Sequence, residues 1–128
     1  MGYEAEQGYL DKLKKYISES NIKSVYFHDA ESDQIKLLKE SSLCLFPSIS
    51  EAFGLVAVEN QACGRPVLCS PQVIRDIDCG AAIFLDLKPE LWADVVVKIF
   101  NQEISFNINT DRFKQKTYCN RIKRIYSL

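Results

Sequence analysis

An α/β fold, a parallel sheet with flanking helices of the doubly wound kind, is predicted by three observations. The runs "SLCLFP" and "PVLCS" are apolar at nearly every position instead of every second one, the pattern of strands covered on both faces. Stretches of helical period lie around them. Helical and strand-like segments alternate along the chain, with no repeat and no low-complexity segment between them.

The elements follow in order. "EAEQGYLDKLKKYISES" places Leu10, Leu13, Tyr16 and Ile17 at helical spacing with charges on the other side, which predicts an amphipathic helix. "KSVYFHD", rich in β-branched and aromatic residues, predicts a short strand. Ser32 is placed to N-cap a helix over "DQIKLLKES", and "SLCLFP" predicts a strand ending before Pro47. A helix from about Phe53 to Cys63 should stop at Gly64, with Pro66 just beyond. "PVLCS" predicts a buried strand, "QVIRDI" a short helical turn and "GAAIFL" a further strand. "KPELWADVVVKIFNQ" predicts a helix with Pro89 in its first turn. A last helix over "NTDRFKQKTYCNRIKRIYSL" should turn Phe113, Tyr118, Ile122 and Ile125 inward.

Of the 128 residues, 47% are hydrophobic and 26% charged, which fits one globular domain and argues against disorder. No apolar run approaches the roughly 20 residues of a membrane span. The opening "MGYEAEQGYL" lacks the basic and apolar segments of a signal peptide, so a cytoplasmic protein is expected. The five cysteines, Cys44, Cys63, Cys69, Cys79 and Cys119, form no Cys-x-x-Cys, and the single histidine, His28, lies far from them in sequence. No metal is therefore expected; most of these thiols read as small hydrophobes in a reducing compartment.

A net charge of −1 gives no nucleic-acid footprint. The charge is unevenly placed, however. Residues 111–128 hold six basic residues and one acid, so that segment is +5 and the remainder −6. It reads either as the solvated face of a terminal helix or as a docking surface for another domain or for anionic lipid at the inner face of a membrane.

The chemistry concentrates in "FPSISEAFGLVAVENQACGRPVLCS", Phe46 to Ser70. In doubly wound sheets ligands sit beyond the carboxyl ends of the strands, where the next helices begin, and Ser48 to Gly54 is such a place. The backbone amides of Phe53, Gly54 and Leu55 would be unpaired first-turn donors, suited with the helix dipole to a phosphate or diphosphate. Gly54, lacking a Cβ, would admit a ligand close to the backbone.

A structural alternative exists for Glu51, since Ser48 and Glu51 have the spacing of a capping box. That would start the helix at Ile49 and put Gly54 in its interior, at about 1 kcal/mol relative to Ala. On a helical wheel, Leu55, Val56, Val58, Ala62 and Cys63 form an apolar arc with Glu59 inside it, while Ala57, Asn60 and Gln61 form the polar face. A carboxylate in that arc calls for a ligand or a structural ion pair, because an unpaired buried charge costs several kcal/mol.

At these residues the chain resembles a known family. "PSISEAFGLVAVENQACGRPVLCS" is similar to the donor-site signature of family-four, GT-B-fold retaining glycosyltransferases, in which two glutamates separated by seven residues flank a Gly-Phe-Gly-Leu-type turn. The segments "VYFHDAESDQIKLLKESSLCLFPS" and "DIDCGAAIFLDLKPELWADVVVKIF" resemble the regions on either side. The resemblance implies a Rossmann-like C-terminal domain that binds a nucleotide-diphosphate sugar and transfers the sugar to an acceptor with retention, without a metal.

It implies Glu51 as the catalytic-site contact to the donor sugar. Phe53, Gly54 and Leu55 would supply amides to the sugar and diphosphate, and Glu59 would accept hydrogen bonds from the ribose hydroxyls. It also implies that the 128 residues are only part of that C-terminal domain and inactive alone. An N-terminal acceptor domain and a basic Arg/Lys pair facing the diphosphate would lie upstream, and residues 111–128 would dock on that domain. A non-catalytic nucleotide-sugar binding module or an inactive gene fragment is the alternative. Ala52 in place of Gly, Asn60 and Gln61 in place of Ala and Met, Asp76 in place of Glu, and "PQVIRD" in place of a Gly-rich turn depart from the pattern. These departures bear on which sugar is bound more than on the reaction class.

Overall fold

A computed structural model describes residues 8–28 and 34–114. The chain divides into two units, Met1–Gln34 and Ile35–Leu128.

In the first unit, α1 runs over Tyr9–Glu19, entered through Gly8 at φ 79°. The predicted amphipathic pattern is present, with Leu13 and Ile17 half-buried, but no residue of the helix is fully buried. The strand predicted at "KSVYFHD" is not formed: residues 23–28 make no ladder and are all exposed, Tyr26 at 78%. β-Branched and aromatic content measures fitness for a pleated, half-buried surface, and it becomes a strand only where a neighbour completes the ladder. No described residue does so here.

The second unit carries the sheet. Helix α2 spans Gln34–Glu40, and the predicted Ser32 cap lies outside the described residues. The last turn of α2 is tied down from a distance, since the Arg65 guanidinium donates to the Lys39 carbonyl at 2.7 Å. Strands β1 (Cys44–Phe46), β2 (Val67–Cys69) and β3 (Ala82–Phe84) are parallel and lie side by side in that order. Cys44, Leu45 and Phe46 pair with Val67, Leu68 and Cys69, which pair in turn with Ala82, Ile83 and Phe84. All three residues of the central strand are fully buried, as its unbroken apolar run predicts.

Because side chains alternate across a strand, Cys44, Phe46, Val67, Cys69, Ala82 and Phe84 share one face. There they pack with Ala57, Val58, Val73, Ile77 and Phe113 into the core. Helix α3, Leu55–Ala62, covers this face, and the short helical turn Arg75–Ile77 adds Ile77 to it. From the opposite face, Leu45 joins Pro47, Leu87, Pro89, Trp92, Ala93 and Val96 around an apolar groove of about 440 Å³.

Helix α4, Pro89–Phe100, begins with Pro89 in its first turn as predicted. Its Trp92 is buried and donates from Nε1 to the Asp86 carbonyl at 2.8 Å. Of the predicted last helix, the described residues hold only a 3-10 turn at Asp111–Phe113; positions 115–128 lie outside them. Among the described residues, no helix is long and apolar enough to cross a membrane.

Candidate functional site

The loop from Pro47 to Gly54 leaves the carboxyl end of β1 and delivers the chain to α3, the position the sequence assigns to a ligand. Two groups fix its entry: Ser70 at the end of β2 donates its hydroxyl to the Ser48 carbonyl, and Ser48 donates its own to the Ser50 carbonyl at 2.8 Å. Glu51 then accepts the Ala52 amide on Oε1 at 3.0 Å. The capping-box alternative is thereby excluded, because the helix starts at Leu55, well past Ile49, and neither partner makes the reciprocal bond.

The helix also starts two residues later than Phe53, and the reason is Gly54. It is the N-cap at φ 82°, ψ 43°, in the left-handed region where a side chain is strained. A Cβ built there would stand 3.3 Å from the Val73 side chain and 3.5 Å from Phe46. The turn and its packing against the protein's own core therefore suffice to require a glycine here.

No side chain caps α3. Among the described residues the amides of Phe53, Gly54, Leu55 and Val56 meet no acceptor, and the first helical amide to do so is Ala57, which donates to the Gly54 carbonyl at 3.0 Å. Of the three predicted amides, only that of Leu55 belongs to the first turn; Val56 adds one that the sequence reading missed. The result is a row of donors without an acceptor among the described residues, three on exposed residues and one on the buried Gly54, at the positive end of a helix dipole.

The face of α3 on which Glu59 sits reverses the wheel. Ala57, Val58, Asn60 and Gln61 point inward and are buried, whereas Leu55, Val56, Glu59 and Ala62 are exposed. Glu59 therefore does not lie in a buried apolar arc, and the argument that burial obliges it to have a partner fails. Its position still matters. Leu55 and Glu59, four residues apart, share the outer face, so the second glutamate stands one turn beyond the open amides. Glu51 is exposed on the loop before them.

Polar residues face inward because Gln61 ties the helix to the loop leading into β3. Its Nε2 donates to the carbonyls of Ala57 at 3.1 Å and Ile77 at 2.9 Å. Its Oε1 accepts the amides of Cys79 at 2.7 Å and Ala81 at 3.3 Å. Segment 78–81 lies ahead of β3, so its amides need such a partner. Asn60 donates to the Val56 carbonyl at 2.8 Å, while its buried Oδ1 meets no donor among the described residues. In sequence, the only signal for this clamp was the departure at Asn60–Gln61 itself.

A second residue escaped the sequence reading. The Phe53 ring meets the ring of Phe113 edge to face, with centroids 6.2 Å apart and planes at 84°. Nearer β3, the Arg75 guanidinium lies 4.6 Å from the Phe84 ring centroid. Burial pushes the Cys44 thiol up to about 11 and the Cys69 thiol up to about 12, so neither is a thiolate at neutral pH. Both behave as the small hydrophobes predicted. Among the described residues no three His, Cys, Asp or Glu side chains converge as metal ligands.

The profile of the family "Glycosyl transferases group 1" matches residues 1–116. The chain belongs to this family. As a group 1 glycosyltransferase chain it is similar to D-inositol 3-phosphate glycosyltransferases of several Mycolicibacterium and Mycobacterium strains. It is 35% identical over 71 residues to that of Mycolicibacterium gilvum (strain PYR-GCK), a match covering 52% of this chain and 16% of the relative. It is 41% identical over 59 residues to that of Mycobacterium sp. (strain KMS), covering 42% and 13%. The Mycobacterium tuberculosis (strain F11) protein is 38% identical over 72 residues, covering 52% and 15%. The matched region thus spans a small part of these relatives. No solved structure matches the chain significantly.

Proposed function

We propose that this group 1 glycosyltransferase chain supplies the donor-binding part of a retaining, family-four sugar transferase, with a nucleotide-diphosphate sugar held at the mouth of α3. The observation that carries this reading is the row of open amides from Phe53 to Val56, flanked by the exposed carboxylates of Glu51 and Glu59. In the proposed complex the amides of Phe53, Gly54 and Leu55 receive the diphosphate and the sugar. Glu59 accepts hydrogen bonds from the two ribose hydroxyls, charge-assisted and directional. Glu51 contacts the donor sugar at the reacting centre.

Transfer passes through an oxocarbenium-like state while negative charge builds on the departing diphosphate. Donors already aimed at that charge stabilise the transition state without reorganising. No metal is invoked for this step. The acceptor site belongs to an N-terminal domain in the proposed complete enzyme, on which the part of residues 111–128 beyond Phe113 docks, Phe113 itself packing on this chain's own core.

The test is an amide NMR titration of the full chain with UDP, GDP and ADP. One of the three should shift the signals of Phe53, Gly54, Leu55 and Glu59 and thereby name the base. Glu59→Ala should then weaken that nucleotide by about 1–3 kcal/mol. Glu51→Ala should leave it nearly unchanged while reducing transfer in a completed enzyme. Silence toward all three nucleotides, or equal losses in the two variants, would contradict this assignment.

A further inference from the structure

We propose that Phe113 is a positioning residue for the mouth of α3, holding Phe53 and through it the amides that the donor-site reading assigns to the diphosphate. The proposal rests on that reading for its consequence in binding, but its structural half stands alone.

The loop before α3 has few other restraints. Among the described residues the helix has no side-chain cap, and the Glu51 carboxylate bonds only to the adjacent amide. Behind the turn, Gly54 packs toward Val73 and Phe46, and upstream Ser70 holds Ser48. Neither contact involves Phe53, a residue that is 38% exposed. Its aromatic partner is Phe113, in the edge-to-face geometry that aromatic rings prefer.

Phe113 is itself well seated. It is half-buried against the core cluster that includes Ala57 and Val58 of α3 and Val73, the residue beneath Gly54. The Asp111–Phe113 turn, far along the chain, therefore braces the turn at Phe53 against the same core that carries the helix. Without that brace the turn samples other arrangements, and affinity falls by the fraction of time it leaves the competent one.

Two substitutions in the full chain test this. Phe113→Leu keeps apolar volume on the core and removes the aromatic edge; Phe113→Trp keeps an aromatic ring. The first readout needs no ligand: hydrogen exchange at the Ala57 amide, which closes the first turn onto Gly54, compared with the Val67 amide, bonded to Ala81 within the sheet. Phe113→Leu should speed exchange at Ala57 by roughly threefold to tenfold, the range an aromatic pair commands, with Val67 unchanged. It should also weaken whichever of UDP, GDP and ADP the wild-type chain binds by a similar factor, and Phe113→Trp should restore both.

Unchanged exchange at Ala57, or equal acceleration at Ala57 and Val67, would overturn the proposal, the latter by showing an ordinary packing role. So would a Leu variant that binds nucleotide like the wild type. If the wild-type chain binds none of the three, the donor-site reading fails by itself, and the exchange comparison still decides whether Phe113 braces the turn.

Discussion

Inward from α3 point two side-chain amides, Asn60 and Gln61, each 1% exposed, whereas outward lie Leu55 at 62%, Val56 at 45% and the carboxylate of Glu59. Polarity alone would sort these residues the other way. Polar side chains join Ala57 and Val58 on the inner face because Gln61 binds, with both ends of its amide, the Ile77 carbonyl and the Cys79 and Ala81 amides. The outer face is apolar around a carboxylate. A buried polar side chain here organises the fold, and an exposed charged one is left available for function.

The largest effect should come from breaking the inner face. Gln61→Ala removes the side-chain acceptor of the Cys79 and Ala81 amides and one of the two side-chain donors to the Ile77 carbonyl, and should cost roughly 3–5 kcal/mol, seen as a lowered urea midpoint. A loss below about 1 kcal/mol would mean that the clamp is incidental. Next comes the residue where the two faces meet. Gly54→Ala must adopt φ near 82° beside Val73 and should lose about 2 kcal/mol in thermal melts.

The outer face should respond far less. Leu55→Ala and Glu59→Ala should change stability by less than about 0.5 kcal/mol in the same melts, since each removes exposed atoms. A larger loss in either would erase the contrast between the faces. One small effect should have the opposite sign: Asn60→Ala removes a buried acceptor that meets no donor among the described residues and introduces a better helix former, at the loss of one bond to Val56. A gain of about 0.5 kcal/mol in the urea midpoint analysis is expected.

The elements that were legible were those whose signals are local. Pro89 marked the start of α4, Gly64 the end of α3, and the unbroken apolar runs of β1 and β2 announced strands of a parallel sheet. The site loop was legible as a place, because Glu51, Phe53, Gly54 and Leu55 are contiguous. Less legible was its geometry: Phe53 was read as the first helical residue, since nothing in its neighbours reveals that Gly54 turns left-handed against Val73. The strand predicted at residues 23–28 failed for a related reason, as its composition was right but its partner was not among the described residues.

Sequence by itself thus determined the alternation of helix and strand, the parallel pairing and the stretch of chain that forms the candidate donor site, because period, capping and turn chemistry act over a few residues. Tertiary structure decided which face of α3 turns inward, why Gly54 is a glycine, and that Phe113 meets Phe53. Those outcomes depend on backbone groups and rings brought together from distant positions, and no local pattern encodes which of them will meet.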